Sequence, residues 1–139
     1  MGTTISPEVS KKNPYWIERH RYYELKHFCL QYPIWKKTLI FLENIETNDS
    51  TIKTDSKLKY YTSMIEERTV AKLYLEDNIK LVEKAAKETD ATLWLFVLLG
   101  VTDGIPYDIL KLKHNIPCCK DVYYNLYRKF FFLLSGFRK

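Results

Sequence analysis

A chain of 139 residues with 46% apolar side chains has the usual length of one domain and enough apolar material for a packed core. Aromatic side chains make up 15% of the residues, and the chain has only four Gly and five Pro. This composition argues against a disordered chain and against a turn-rich all-β fold, so we expect an all-α fold in a small helical protein.

The net charge of +5 is concentrated at the end of the chain. Residues 105–139 carry seven Lys or Arg against two Asp, whereas the basic and acidic residues before them balance. Because neutralising phosphates releases counterions, a localised basic excess is typical of proteins that bind a polyanion such as double-stranded DNA. A solvated surface with a basic tail is the alternative that charge alone leaves open.

Residues 1–12 are polar, and we expect a flexible N-terminus there. This stretch lacks the apolar run of a secretion signal. The chain also has an odd number of cysteines, three, which is typical of proteins in a reducing cytosol. We therefore expect a cytoplasmic protein.

Residues 13–46 are expected to form an aromatic helical segment. Asn13 is placed to cap a helix whose first residue is Pro14, because proline has no amide to leave unpaired at that position. Pro33 must interrupt or restart this helix. Spacings of four and three residues predict one helix face formed by Glu18, Tyr22, Leu25, Cys29 and Tyr32.

Residues 47–56 are rich in polar side chains and predict a loop. Residues 57–139 are expected to hold a long helix and then a C-terminal helix-turn-helix domain. The long helix has apolar residues near heptad spacing, which indicates either a core face or the seam of a homodimer. These residues are Met64, Ala71, Leu75, Ile79, Val82 and Ala86.

The longest apolar run is ATLWLFVLLGV, from Ala91 to Val101. It is shorter than the stretch of about 18 residues that spans a bilayer, so we expect no membrane partner. The run instead predicts a buried helix that Asp90 caps and Gly104 ends.

Two short amphipathic segments, IPYDILKLKHN and CKDVYYNLYRKFFFLLSGF, flank a tight turn at residues 116–118. This arrangement predicts a helix-turn-helix, with Cys119 as the N-cap of the second helix. At least one of the phenylalanines 130–132 must point away from the core, and an exposed aromatic ring there would indicate a protein partner. The positions that recur at helical spacing and can face the core are Tyr123, Leu126, Tyr127, Phe130 and Leu134.

The outer side of this second helix is the candidate DNA-reading face. Lys120, Tyr124 and Arg128 are spaced by four residues and share one stripe. In a major groove Lys120 can donate to guanine, Asn125 can pair with adenine, and Tyr124 can touch a thymine methyl group or a phosphate. An ordinary C-terminal helix with a charged outer face is the alternative. The candidate DNA-binding residues are Lys113, Lys120, Asp121, Tyr124, Asn125, Arg128 and Lys129.

The sequence gives only weak indications of a metal site or of enzymatic activity. The adjacent Cys118 and Cys119, together with His114, suggest a metal site, but neighbouring cysteines do not easily bind one tetrahedral zinc ion together. The sequence has no glycine-rich phosphate loop, no nucleophile elbow and no H-E-x-x-H motif. We therefore expect no metal, no cofactor and no enzymatic activity.

The stretches KLVEKAAKETD, GVTDGIPYDIL and IPCCKDVYYNLYRKFFFLL together resemble small phage and prophage late-gene transcriptional activators of the RinA/ArpU type. The resemblance implies a C-terminal helix-turn-helix similar to the promoter-reading region of sigma factors. It also implies binding upstream of a phage late operon in a bacterial host, with RNA polymerase as a further partner. By position, the DNA-reading residues would be Lys120, Asp121, Tyr124, Asn125 and Arg128.

A different class of function stays open from the residues alone. A helical interaction protein could use the same basic C-terminal helix to bind an acidic protein surface. Binding to duplex DNA that depends on sequence as well as on salt would separate the two interpretations, since phosphate contacts alone give only salt dependence.

Overall fold

A computed structural model describes residues 13–48 and 55–138 of the chain. Within these ranges the structure has six α-helices and no strand, which confirms the all-α expectation. The N-terminus that was predicted to be flexible, residues 1–12, lies outside the described residues, and so does most of the predicted loop at 47–56. The helices are α1 (Arg19–Leu30), α2 (Tyr32–Asn48), α3 (Asp55–Lys87), α4 (Trp94–Asp103), α5 (Tyr107–His114) and α6 (Lys120–Phe137).

The chain divides into two compact units. The first unit combines the chain up to Tyr32 with Leu81–Lys139, and the second unit is Pro33–Lys80. The first unit therefore contains α1, the end of α3, and α4 to α6. This grouping separates α1 from α2, which the sequence analysis placed in one segment.

Helix α1 begins later than the sequence pattern predicts. The side chain of Asn13 accepts a hydrogen bond from the amide of Tyr15 at 2.8 Å and forms only a turn. The N-cap is Glu18, whose carboxylate accepts hydrogen bonds from the amides of His20 at 2.6 Å and Arg21 at 3.1 Å. The predicted helix start at Asn13 is therefore wrong, because Glu18 satisfies the amides that the first turn leaves free.

The break predicted at Pro33 is confirmed. Helix α1 ends at Leu30, and α2 begins at Tyr32 with Pro33 in its first turn, where the missing amide costs no hydrogen bond. The predicted apolar face of α1 is also confirmed at Tyr22, Leu25 and Cys29, which are buried, whereas Glu18 is the exposed cap.

The heptad stripe of α3 is buried only along its second half. Leu75, Ile79, Val82 and Ala86 are buried, whereas Ala71 is exposed. The stripe is therefore a core face near the C-terminal end of the helix, and the pattern by itself does not require a second copy of the chain.

The C-terminal end predicted for the apolar helix α4 is found in the structure, but the predicted cap at Asp90 is wrong, because the N-cap is Leu93 and Asp90 bonds the turn before the helix. Asp90 Oδ1 accepts hydrogen bonds from the amides of Thr92 at 2.8 Å and Leu93 at 2.9 Å, and these bonds lower the pKa of the Asp90 carboxyl. Gly104 ends the helix in the left-handed conformation with φ of 67°, which costs glycine little. No helix in the described part of the chain is both long enough and apolar enough to cross a membrane.

The core of the first unit is aromatic and lies where α1, α4 and α6 meet. The ring of Tyr22 on α1 packs edge-on against Phe131 on α6, with centroids 5.1 Å apart. The hydroxyls of Tyr22 and Tyr127 share a hydrogen bond of 2.6 Å. Phe130 and Phe131 are both buried and pack edge to face at 4.9 Å. Edge-to-face pairs of this kind add about 0.5–1.5 kcal/mol each beyond the burial of their area.

Arg21 closes the C-terminal end of α6. Its guanidinium donates to Ser135 Oγ at 3.1 Å, to the Ser135 carbonyl at 3.0 Å and to the Arg138 carbonyl, and it also pairs with Glu24 at 2.6 Å. The end of a helix leaves carbonyl groups without an internal partner, and a cation there interacts favourably with the helix dipole. Arg21 therefore fixes the position of α6 against α1.

Candidate nucleic-acid interface

Helices α5 and α6 are joined by five residues, from Asn115 to Cys119. Asn115 ends α5 in the left-handed conformation with φ of 51°, which turns the chain sharply. Ile116 is buried in the core and anchors the connection. The hydroxyl of Tyr107 donates a hydrogen bond of 2.6 Å to the carbonyl of Cys118, so the first residue of α5 holds the residue before the α6 cap.

The inner face of α6 is the one predicted from spacing. Tyr123, Leu126, Phe130 and Leu134 are buried. Tyr127 is half-buried, and burial beside Tyr22 raises the pKa of its hydroxyl above the usual value. The core face of α6 is therefore confirmed, with Phe131 as an additional buried residue that the spacing did not include.

The outer face differs from the predicted stripe at Tyr124. Its ring packs edge-on against Tyr123 at 5.1 Å and against Tyr127 at 5.7 Å, and its hydroxyl accepts a hydrogen bond of 3.5 Å from the amide of Tyr107. Tyr124 therefore joins α6 to α5 and does not stand on the solvent-facing stripe. The most exposed residues on the first two turns are Asp121, Val122 and Asn125.

The basic candidates on α6 are placed unequally. Lys120 and Arg128 are half-buried at one edge of the exposed face. Lys129 is also half-buried, and its ammonium group donates a hydrogen bond of 3.2 Å to the carbonyl of Thr89, in the connection between α3 and α4. In this conformation Lys129 has a structural partner, which the sequence could not reveal because Thr89 is 40 residues away.

The C-terminal turn of α5 presents a group of basic side chains that the sequence analysis used only in part. Lys113 is exposed, as predicted, and Lys111 and His114 are exposed on the same turn. Their position in the run KLKH, directly before Asn115 and the predicted turn, is a signal in the sequence that could have identified all three. Cations at a helix C-terminus also stabilise the helix dipole, so their presence has a structural explanation as well.

Cys119 occupies the N-cap of α6, as predicted, but its side chain makes no capping hydrogen bond. Replacing it with serine is expected to stabilise the protein by about 1 kcal/mol, because a serine hydroxyl can accept from the free amides of the first turn. Urea denaturation should measure this as a higher midpoint with an unchanged slope.

Cys118→Ser is the matched control for the cap. Cys118 is half-buried, and burial raises the pKa of its thiol, which is consistent with an apolar surrounding. A hydroxyl there has no cap to form, so we expect no gain in stability. An equal gain from both substitutions would contradict the capping argument.

The described residues contain no group of three or more His, Cys, Asp or Glu side chains that could hold a metal ion. Comparison of the chain with protein-family models, with curated proteins and with solved structures found no match.

Proposed function

We propose that this protein binds double-stranded DNA through α5 and α6, used as a helix-turn-helix, and that it regulates transcription as expected for a phage late-gene activator. The observation that carries the proposal is the position of the charge. The whole net charge of +5 lies in residues 105–139, and the exposed basic turn of α5 directly precedes the exposed first turns of α6. A short connection between two such helices suits a recognition helix in the major groove.

The exposed residues of α6 favour a DNA-reading face centred on Asp121 and Asn125, each one residue after a member of the predicted stripe. Asn125 can donate to and accept from adenine, and Asp121 can accept from the amino group of cytosine. Lys120 and Arg128 at the edge of this face suit phosphate or guanine. Lys111 and Lys113 on α5 suit the phosphate backbone, because a flexible ammonium group binds it without reading sequence.

The test is fluorescence anisotropy of the purified protein with labelled duplex fragments from its own genomic neighbourhood, at two salt concentrations. We expect one fragment to bind more tightly than the others, with an affinity that falls as salt rises. Asn125→Ala should cost about 1–3 kcal/mol on that fragment and reduce the preference for it. Lys113→Ala should weaken binding to all fragments alike and reduce the salt slope by about one.

Lys80→Ala is the matched control, because Lys80 is an exposed lysine in the other unit of the chain. It should leave DNA binding unchanged. Failure to bind any fragment at low salt would overturn the proposal. Binding without sequence preference that Asn125→Ala leaves untouched would overturn the sequence-specific part of it.

A further inference from the structure

An apolar groove runs beside the second half of α6, away from the proposed DNA-reading turns. Its volume is about 420 Å³. Phe132 on its edge is 42% exposed, although the neighbouring Phe130 and Phe131 are buried. The lining residues are Ile17, Phe132, Leu133, Ser135, Gly136 and Phe137.

The only hydroxyl among these lining residues is already engaged by the fold. Ser135 Oγ and the Ser135 carbonyl both accept hydrogen bonds from Arg21. The remaining side chains of the groove are aliphatic or aromatic. The groove therefore favours an apolar ligand, because a buried polar group would find few hydrogen-bond partners in it.

Gly136 has no evident role in the fold. A Cβ atom at this position would meet no atom within 4 Å, and among the glycines that the structure describes only Gly104 has a positive φ. Glycine inside a helix costs up to about 1 kcal/mol relative to alanine. The absence of a side chain at Gly136 does keep the groove open, so it is explained if the groove binds a ligand.

Positive charge borders the groove. Arg128 and Lys129 precede Phe132 and Leu133 by one helical turn and therefore share their sides of α6. The ammonium group of Lys84 lies 4.2 Å from the centroid of the Phe137 ring. The carboxylate of Glu18, next to Ile17 in sequence, accepts from the amides at the start of α1, and the carboxylate of Glu24 is paired with Arg21 and Arg138.

We propose that this groove binds an amphipathic helix from an acidic partner protein, with one bulky apolar side chain of that helix seated beside Gly136. Proteins often recognise an amphipathic helix in this way: an apolar side chain of the helix enters a groove, and charged residues around the groove face residues of opposite charge on the helix. Charge complementarity selects the acidic partner over a neutral or basic one. The groove lies beside residues 132–137 and not at the DNA-reading turns, although Arg128 borders both surfaces, and the proposal does not depend on DNA binding.

The probes are fluorescent sixteen-residue peptides with Leu, Phe or Trp anchors at helical spacing and Glu at the other positions. We expect the best of them to bind with Kd below about 100 μM, and a version with Lys in place of Glu to bind at least about tenfold more weakly. Peptide binding should shift the backbone amide resonances of residues 132–137 in a two-dimensional NMR spectrum. The Gly136 resonance is the most direct report, because its surroundings change when the anchor is seated.

Gly136→Leu is the decisive variant, because Gly136 lines the groove and a Cβ atom at this position meets no atom within 4 Å, so a larger side chain can occupy the space of the anchor. It should weaken peptide binding at least about tenfold while thermal stability stays the same or rises, since leucine is the better helix former. Val70→Ser removes an exposed apolar side chain from the other unit and should leave binding unchanged.

Three results would overturn the proposal. One is that no acidic peptide binds below about 1 mM. Another is that Gly136→Leu leaves the affinity unchanged, or that the shifted resonances lie outside residues 132–137. The third is that the protein sediments as a dimer which Gly136→Leu converts to a monomer, because the groove would then hold a second copy of the chain. DNA binding by Gly136→Leu at the wild-type level would show that the two proposals stand or fall separately.

Discussion

Replacing Gly100 with alanine is expected to destabilise the protein by about 3 kcal/mol, at the upper end of the cost of overpacking a core. In an exposed helix the same change would stabilise by up to about 1 kcal/mol. Here the new Cβ would lie 2.0 Å from the hydroxyl oxygen of Tyr123, which is only 1% exposed and cannot move into solvent. The loss should appear as a lower midpoint in guanidinium denaturation at an unchanged slope.

The clash predicts a specific rescue. Tyr123→Phe removes the hydroxyl, and the closest remaining ring atom would lie 3.2 Å from the new Cβ, which needs only a small shift. The buried hydroxyl has no hydrogen-bond partner among the residues that the structure describes, so Tyr123→Phe alone should be neutral or stabilising by about 1 kcal/mol. In the double variant at least about 2 kcal/mol of the loss should be recovered.

Gly136→Ala is the control for the rescue experiment. Both glycines lie inside helices, but a Cβ at Gly136 meets nothing within 4 Å, so the substitution should stabilise by a few tenths up to about 1 kcal/mol. Equal effects at Gly100 and Gly136 would contradict the close approach of α4 to α6. Simple additivity of Gly100→Ala and Tyr123→Phe would contradict the contact between these two residues.

These two glycines also show where sequence reasoning stops. Both stand in apolar helical segments, and local pattern treats them alike. Gly100 is required because the ring of Tyr123 on α6 lies against its backbone, whereas Gly136 borders the groove. The difference depends on tertiary contacts, which the hydrophobic periodicity of a single helix does not specify.

The buried face of α6 could be predicted because helical spacing and apolar character act together on four of its residues. Tyr124 could not be assigned in this way. A tyrosine has an apolar ring and a polar hydroxyl, so it suits an outer face and a partly buried one equally. Its actual position follows from the amide of Tyr107 on α5, which becomes a neighbour only after the chain has folded.

The residue at which a helix starts is difficult to predict from sequence for a related physical reason. Asn13-Pro14 and Glu18 can each satisfy the free amides of a first turn, and local sequence does not rank them. The bonds of Lys129 to Thr89 and of Arg21 to the end of α6 join residues far apart in sequence. The sequence therefore predicted a pair of basic helices at the candidate site. It did not show which of the basic side chains bind other parts of the fold and which are exposed at the surface.

The three consecutive phenylalanines of α6 should respond very differently to truncation. Phe130→Ala is expected to cost about 3–5 kcal/mol, because Phe130 is 0% exposed and its removal leaves a cavity among the rings of the core. Phe132→Ala should cost less than about 1 kcal/mol, because that ring is 42% exposed. Chemical denaturation of both variants, compared at one pH and salt concentration, measures the difference.

A loss of this size at Phe130 can exceed what a small domain tolerates, so Phe130→Leu is the second variant. It keeps most of the apolar volume, and its smaller loss should remain measurable by denaturation of a folded protein. Similar losses at Phe130 and Phe132 would show that the inner face of α6 is not the one described. Similar losses of stability would also contradict the groove, because its edge is formed by an exposed Phe132. A much smaller loss at Phe132 than at Phe130 is the result expected if the fold does not need the Phe132 ring and leaves it available to a partner.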